Sequence, residues 1–376
     1  MKIKMGRHDV QKGRSWLGQR YFGCECGSSH VSGQALSRRK FLAAGAAAAA
    51  GIASGGLGTK AWAQDAKPHR IDVHHHVSPP TWLDAVKRIK QDNPPLANWS
   101  VQKTLDDMDK GGVATAITSP TTPQVGVFAP DEAARLARES NEYAKKLETQ
   151  HPGRFGTFAM LPLPHVDQSL KEIEYAFDTL NVDGIGCMTS YGDKWLGYAE
   201  FDPVWAELNR RKATVYTHPT GANCCVNLVR GVGDAYIEFG TDTTRTIFTL
   251  IFSGIAQKYP DINWIFSHGG GSLTAFYERF TVQALMTPPY RGKFTRDDVE
   301  RQIRRFHYDT AAVPNAVTLS ALAKMVPISQ IVYGTDFPYR TALDHTTGLN
   351  AFFKPEELRA VDRDNAVRLI PRLKAA

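Results

Sequence analysis

Short apolar runs rich in β-branched residues recur along the chain, each followed by a stretch with helical spacing of its apolar positions. They are Arg70–His76, Val113–Thr118, Phe155–Leu161, Gly184–Met188, Thr214–His218, Trp264–Ser267, Phe306–Asp309 and Ile331–Gly334. Amphipathic stretches such as 131–149 and 168–180 lie between them, the first opened by Pro130 and the second ended by Asn181. Eight strands alternating with helices predict an α/β fold, a (β/α)8 TIM barrel. A doubly wound open sheet is the structural alternative, but no Gly-rich phosphate loop follows the first strand.

The first 63 residues do not share this pattern. Ser37-Arg38-Arg39-Lys40-Phe41-Leu42 is a twin-arginine pattern, followed by an apolar run of mostly Ala and Gly to Ile52 and a small-residue cleavage site at Ala61-Trp62-Ala63. These features predict that residues 1–63 are a signal region read by the twin-arginine (Tat) export machinery and removed, leaving 64–376 as a single domain in the periplasm or otherwise exported. The apolar run is too short for a permanent membrane anchor.

That division changes the charge argument. The whole chain carries 45 Lys and Arg against 38 Asp and Glu, a net charge of +7. Ten of those cations and two of the acids fall before residue 64, so the remainder is nearly neutral, and no basic stripe points to nucleic acid. Three of the five cysteines remain in 64–376: Cys187 on a strand and the adjacent Cys224 and Cys225 on a loop. Three cannot form a full disulfide framework, and neighbours in sequence seldom bridge each other.

Candidate chemistry gathers where the strands end. In Ile71-Asp72-Val73-His74-His75-His76-Val77, extended geometry sends His74 and His76 to one side and His75 to the other. Two imidazoles a strand-step apart can grip a divalent metal, although a histidine run by itself is as readily a solvated surface. Strand five ends in Thr217-His218-Pro219, strand six in Ser267-His268-Gly269-Gly270-Gly271, and strand eight in Thr335-Asp336-Phe337-Pro338. Each alone reads as a core histidine or a loop carboxylate. Together they place four strand ends on the face where barrel enzymes build their sites.

The order His-x-His, Thr-His-Pro, Ser-His-Gly-Gly-Gly, Tyr-Asp-Thr-Ala (308–311) and Gly-Thr-Asp-Phe-Pro (334–338) resembles the amidohydrolase superfamily. More narrowly it is similar to the amidohydrolase-related branch of aminocarboxymuconate-semialdehyde, resorcylate, carboxyvanillate and methylsalicylate decarboxylases. The resemblance implies a barrel of the metal-dependent hydrolase type in which His74, His76, His218 and Asp336 hold one Zn²⁺ or Mn²⁺, Zn²⁺ being the first expectation. It implies that His268 is the catalytic histidine and that Arg279 meets a substrate carboxylate, reaching into the neighbouring subunit's site of a homodimer. The two-metal hydrolases add a bridging lysine or glutamate on strand four. Here that strand reads Val182 to Thr189 with neither, and Lys194 lies farther on, so one metal is implied.

Such a centre can hold a carboxylate or phenolic oxygen, or acidify a water. The first expectation is therefore a carboxy-lyase: non-oxidative decarboxylation of a small aromatic acid, a methylsalicylate-like hydroxybenzoate, or an enolic acid, with Asp336 or His268 delivering the proton. Hydrolysis of a lactone, ester or amide by the same residues is the alternative, and a catalytically inactive periplasmic metal-binding protein is the second. Arg245, for which pairing with Asp242 is the alternative, and Trp195 are further substrate-binding candidates, with Tyr191, Phe337 and Tyr339 as aromatic residues at the mouth and 192–197 as a loop over it.

Overall fold

The computed structural model describes residues 69–375. The signal region expected before residue 64 lies outside the described residues. Eight parallel strands form one sheet: β1 (Arg70–His76), β2 (Val113–Ser119), β3 (Phe155–Met160), β4 (Gly184–Met188), β5 (Thr214–His218), β6 (Asn263–Phe266), β7 (His307–Asp309) and β8 (Ile331–Val332). Each pairs with its neighbour in sequence. The ring then closes between β8 and β1: Val73 and His76 donate backbone N–H to the carbonyls of Tyr333 and Phe337 at 3.0 and 2.8 Å, and Asp336 donates to that of His74 at 2.9 Å. This is the (β/α)8 barrel that the alternation predicted, with strand ends displaced by no more than two residues.

Side-chain alternation sorts the core into two layers. Val215, Trp264, Phe266, Tyr308 and Tyr333 pack in the layer between sheet and helices. Tyr216, Phe158, Ile117, Ile265 and Val332 fill the barrel interior with Ala366, Ile370 and Leu373 from the end of the chain. Each fully buried side chain of this kind contributes roughly 1.5–3 kcal/mol relative to exposure. Above this apolar plug the inward positions become polar, and the site begins there.

Strand β1 departs from simple alternation. Its pairing with β2 shifts register between Asp72 and His75, where three steps of β1 span two of β2. A bulge of this sort resets the phase of the side chains. Ile71 and Val73 therefore join the interior plug, yet His74 and His76 also face inward above it.

The helices start and stop where the sequence signals them. The 130–150 helix begins with Pro130 and carries Asp131 and Glu132 in its first turn, where acidic side chains suit the positive end of the dipole. The 166–178 helix gives way to Asn181 at φ 52°. No helix among the described residues is long and apolar enough to cross a membrane.

Residues 192–197 do not form the expected loop over the site. Ser190–Tyr191 pairs antiparallel with Lys194–Trp195 in a short hairpin. The hairpin is bound to the Glu238–Phe252 helix: Leu196 and Gly197 donate backbone N–H to Thr246 and Thr249 at 3.1 and 3.2 Å. A segment held by its backbone in this way is fixed to that helix.

Candidate metal centre and cavity

His74 and His76 rise from β1, His218 ends β5, and Asp336 follows β8. One ligand atom from each lies within 4.8 Å of the others. Nε2 of His74 and of His76 are 3.2 Å apart, and both face Oδ1 of Asp336, at 3.2 and 3.1 Å. Nε2 of His218 stands 3.9 Å from the same oxygen. Donors placed tetrahedrally at zinc-ligand bond lengths would sit about 3.3–3.6 Å apart. The four residues therefore fit a single divalent ion.

The outer nitrogens are all engaged, which aims the inner ones. His74 Nδ1 pairs with Asp309 Oδ2 at 2.8 Å. His76 Nδ1 meets the Ser119 carbonyl at 3.2 Å, and His218 Nδ1 that of Pro219 at 2.8 Å. With Nδ1–H donated outward, each Nε2 presents a lone pair to the centre. Gly334 makes room for this: a Cβ there would stand 2.9 Å from that of His74 and 3.0 Å from that of Asp309.

Burial dominates the electrostatics. It lowers the pKa of His76 and holds His218 well below the usual histidine range. Burial also opposes a charge on His74, but the carboxylates of Asp309 and Asp336 outweigh it and push that imidazole up to about 10. Asp336 is the converse: burial favours its neutral form, while His74, His218 and His268 together hold it well below the ordinary carboxylate range. A cluster that binds one proton among three imidazoles and a carboxylate is balanced to exchange it for a cation.

His268 approaches the other face of the carboxylate, with Nε2 at 3.4 Å from Asp336 Oδ2. Its backbone N–H donates to Asp309 Oδ1 at 2.8 Å. His268 and Asp336 both hold left-handed backbone, φ 54° and 66°, a conformation that non-glycine residues adopt at a cost and that gathers at functional sites. Asp72, fully buried, accepts from the backbone of His74 and of Thr335 at 3.0 and 3.1 Å and thereby joins β1 to the Asp336 turn. His75 points the other way. It stacks on Phe337 at 4.7 Å and pairs with Asp72 at 3.0 Å.

A cavity of about 640 Å³ opens over His218, His268 and Asp336, well within the range of small-molecule sites. Ile237, Phe239, Ala312 and Val313 give it apolar walls, and Asn93, Thr121, Thr122, Thr241, Ser272 and Tyr339 supply hydroxyl and amide groups. No Lys or Arg lines it among the described residues.

The amidohydrolase family matches this chain over residues 71–372. The chain belongs to the amidohydrolase family. This amidohydrolase is 37% identical over 319 residues to a 6-methylsalicylic acid decarboxylase of Penicillium expansum, covering 81% of the chain and 97% of that relative. A solved structure described as an amidohydrolase II superposes with a TM-score of 0.73 at 27% identity, covering 80% of this chain and 99% of the other. A dihydroxybenzoic acid decarboxylase from Polaromonas sp. JS666, solved with manganese and the inhibitor 2-nitroresorcinol, has a TM-score of 0.70 at 20% identity and covers 82% and 98%. That last likeness shows the fold alone.

Three residues expected at the substrate lie elsewhere in this amidohydrolase. Arg245 is drawn to Glu238 at 3.5 Å and Asp242 at 3.9 Å. Trp195 donates Nε1–H to Asp242 at 2.6 Å. Buried Asp242 thus takes up both side chains. Arg279 is exposed, its guanidinium 6.0 Å from the Phe276 ring, and it is not on the cavity wall. Of the aromatic candidates only Tyr339 lines the cavity; Tyr191 is buried against Phe201 and Phe337 is occupied by His75. Asp309 and Asp72 lie in segments that stand out in the sequence but were given no role there, and Tyr236 and Phe239 are among the cavity-lining residues that it did not single out. Asp309 had an available signal, a carboxylate at the end of strand seven, whereas nothing in the pattern marks Tyr236 or Phe239.

Proposed function

We propose that this amidohydrolase is a metal-dependent carboxy-lyase that removes CO₂ from a hydroxybenzoate of the 6-methylsalicylate type. The observation that carries the reading is His268 set against Asp336 on the open side of the four-residue cluster, where a bound acid meets both. The similarity to a 6-methylsalicylic acid decarboxylase over nearly its whole length supports the substrate class. A divalent ion in the cluster supplies positive charge that orients the acid's oxygens and stabilises negative charge on them.

The chain's own groups do the rest. Phe239 and Val313 flank a flat ring. The His268–Asp336 pair carries the proton that the ring carbon receives. The electrons of the C–CO₂ bond stay on that carbon until the proton arrives, and CO₂ departs. Three nitrogens and one oxygen at near-tetrahedral spacing favour Zn²⁺ over Mn²⁺, which prefers more oxygen ligands. With no Lys or Arg on the cavity wall among the described residues, we assign the carboxylate partner to Arg279 of a second copy in a homodimer. The twin-arginine pattern at 37–42 supports export to the periplasm.

The test is incubation of metal-loaded protein with 6-methylsalicylate and related hydroxybenzoates, following CO₂. Evolution of CO₂ with a phenol as product is the expected result. Ring-opened or hydrolysed product without CO₂ would select the hydrolase reading, and silence across acids, lactones and esters with metal bound would select a non-catalytic one.

A further inference from the structure

We propose that Cys224 and Cys225 form a site of reversible two-electron oxidation that closes a vicinal disulfide on the loop bordering the cavity. Their Sγ atoms lie 2.7 Å apart, longer than the ~2.05 Å of a disulfide bond by less than an ångström. Neither thiol is in a disulfide in this structure. The backbone of the turn is fixed. Cys224 donates N–H to Asp193 at 2.9 Å and Cys225 donates to the Ala222 carbonyl at 2.8 Å, so the 223–225 turn is held from both sides. Adjacent cysteines seldom bridge because the eight-membered ring strains the peptide between them; here the two sulfurs already face each other.

Access and position complete the case. Cys224 is exposed, so a reagent can reach it, and Cys225 is buried behind it. The same loop continues through Asn227, which donates N–H to Asp234 at 2.9 Å, to Ala235, Tyr236 and Ile237 on the cavity wall. Cys187 offers a contrast within the chain: it is fully buried, and burial pushes its thiol up to about 12.

The reaction is thiol–disulfide exchange with a low-molecular-weight disulfide as oxidant. The Cys224 thiolate attacks the reagent, breaking its S–S bond and releasing one thiol. The Cys225 sulfur then attacks the mixed disulfide, forming the Cys224–Cys225 bond and releasing the second thiol. Two electrons and two protons pass from the protein to the reagent. The Cys224 S–H donating to the Cys225 sulfur favours the protonated form and raises the Cys224 thiol to about 11, so exchange speeds up as pH rises through the alkaline range.

Glutathione disulfide is the probe. The full chain is incubated with it, denatured, alkylated and digested with trypsin. Cleavage after Lys212 and Arg230 isolates both cysteines in one peptide. The expected result is that this peptide takes no alkyl label and is lighter by two hydrogens, and that prior reduction restores two labels. The peptide holding Cys187 should take one label throughout. Cys225→Ser should instead trap glutathione on Cys224. A doubly labelled peptide after exposure, a stable glutathione adduct on the unsubstituted chain, or an unreactive Cys225→Ser variant would each overturn the proposal.

Discussion

Replacing Asp309 by Asn isolates how the barrel aims its first ligand. The carboxylate is fully buried. Oδ2 accepts from His74 Nδ1 at 2.8 Å, while Oδ1 accepts from the backbone N–H groups of His268 and Ala311 at 2.8 and 3.0 Å. An amide matches the carboxylate in shape and keeps an oxygen for the two backbone donors, so loop and fold should survive. Its NH₂ group then faces His74 Nδ1. The imidazole must either lose that hydrogen bond or change tautomer and turn an Nε2–H toward the centre, and neither state is a good ligand. Loss of an outer partner of this kind lowers metal affinity roughly 10–100-fold, which is about 1.4–2.8 kcal/mol. Zn²⁺ affinity is measured by competition with a chromogenic chelator, with circular dichroism melting of the same sample to verify the fold. Affinity within about twofold of the parent, in a folded Asp309→Asn protein, would refute the claim that this carboxylate sets the tautomer of His74.

Further expectations follow from the same geometry. Substituting His74, His76, His218 or Asp336 with Ala should lower bound metal and turnover together, whereas His268→Ala should keep the metal and lose on the order of 10²–10⁴ in kcat; elemental analysis beside CO₂ release reads both. Arg279→Ala should leave stability within about 0.5 kcal/mol, as for an exposed side chain, yet raise KM for the acid; an unchanged KM would remove Arg279 from the site. Gly334→Ala should cost metal binding as well as stability, because the added Cβ falls 2.9 Å from that of His74, and an unaffected metal content would show that the strand can shift to admit it. His307 is held near a pKa of about 4, first by burial and then by the nearby Arg368 and Arg305. The folded protein thus resists protonating a residue that protonates near 6.5 when unfolded. Its contribution is fully present above pH 6.5 and is lost as pH falls toward 4, up to roughly 3 kcal/mol; urea unfolding of His307→Phe across that range should show a shallower decline.

Much of the fold was legible because a parallel barrel strand is buried on both faces and reads as a compact apolar run between helical stretches. The strand-end positions of His74, His76, His218, His268 and Asp336 were legible for the same reason: polar residues that close such runs stand out. The wall of the cavity was not. Tyr236 and Phe239 lie at and beyond the end of a long loop whose path depends on the Asp193 and Asp234 contacts, and no periodicity encodes that path. The position of Trp195 escaped prediction because it is governed by a buried carboxylate, Asp242, brought to it by the Glu238–Phe252 helix, whereas Arg245 sits on that same helix three residues from Asp242.

The sequence by itself determined the alternation of strands and helices, the family resemblance and the identities of the four clustered residues. Local pattern suffices for the first, and the order of short motifs along the chain, none decisive alone, suffices for the other two. Only the tertiary structure decided that β1 slips its register between Asp72 and His75, so that Ile71 and Val73 fill the plug while His74 and His76 still face inward. It alone decided that Asp309 aims His74, and that two adjacent thiols meet on the cavity loop. Those outcomes depend on pairing and packing between segments tens to hundreds of residues apart, and such distances leave no period in the chain.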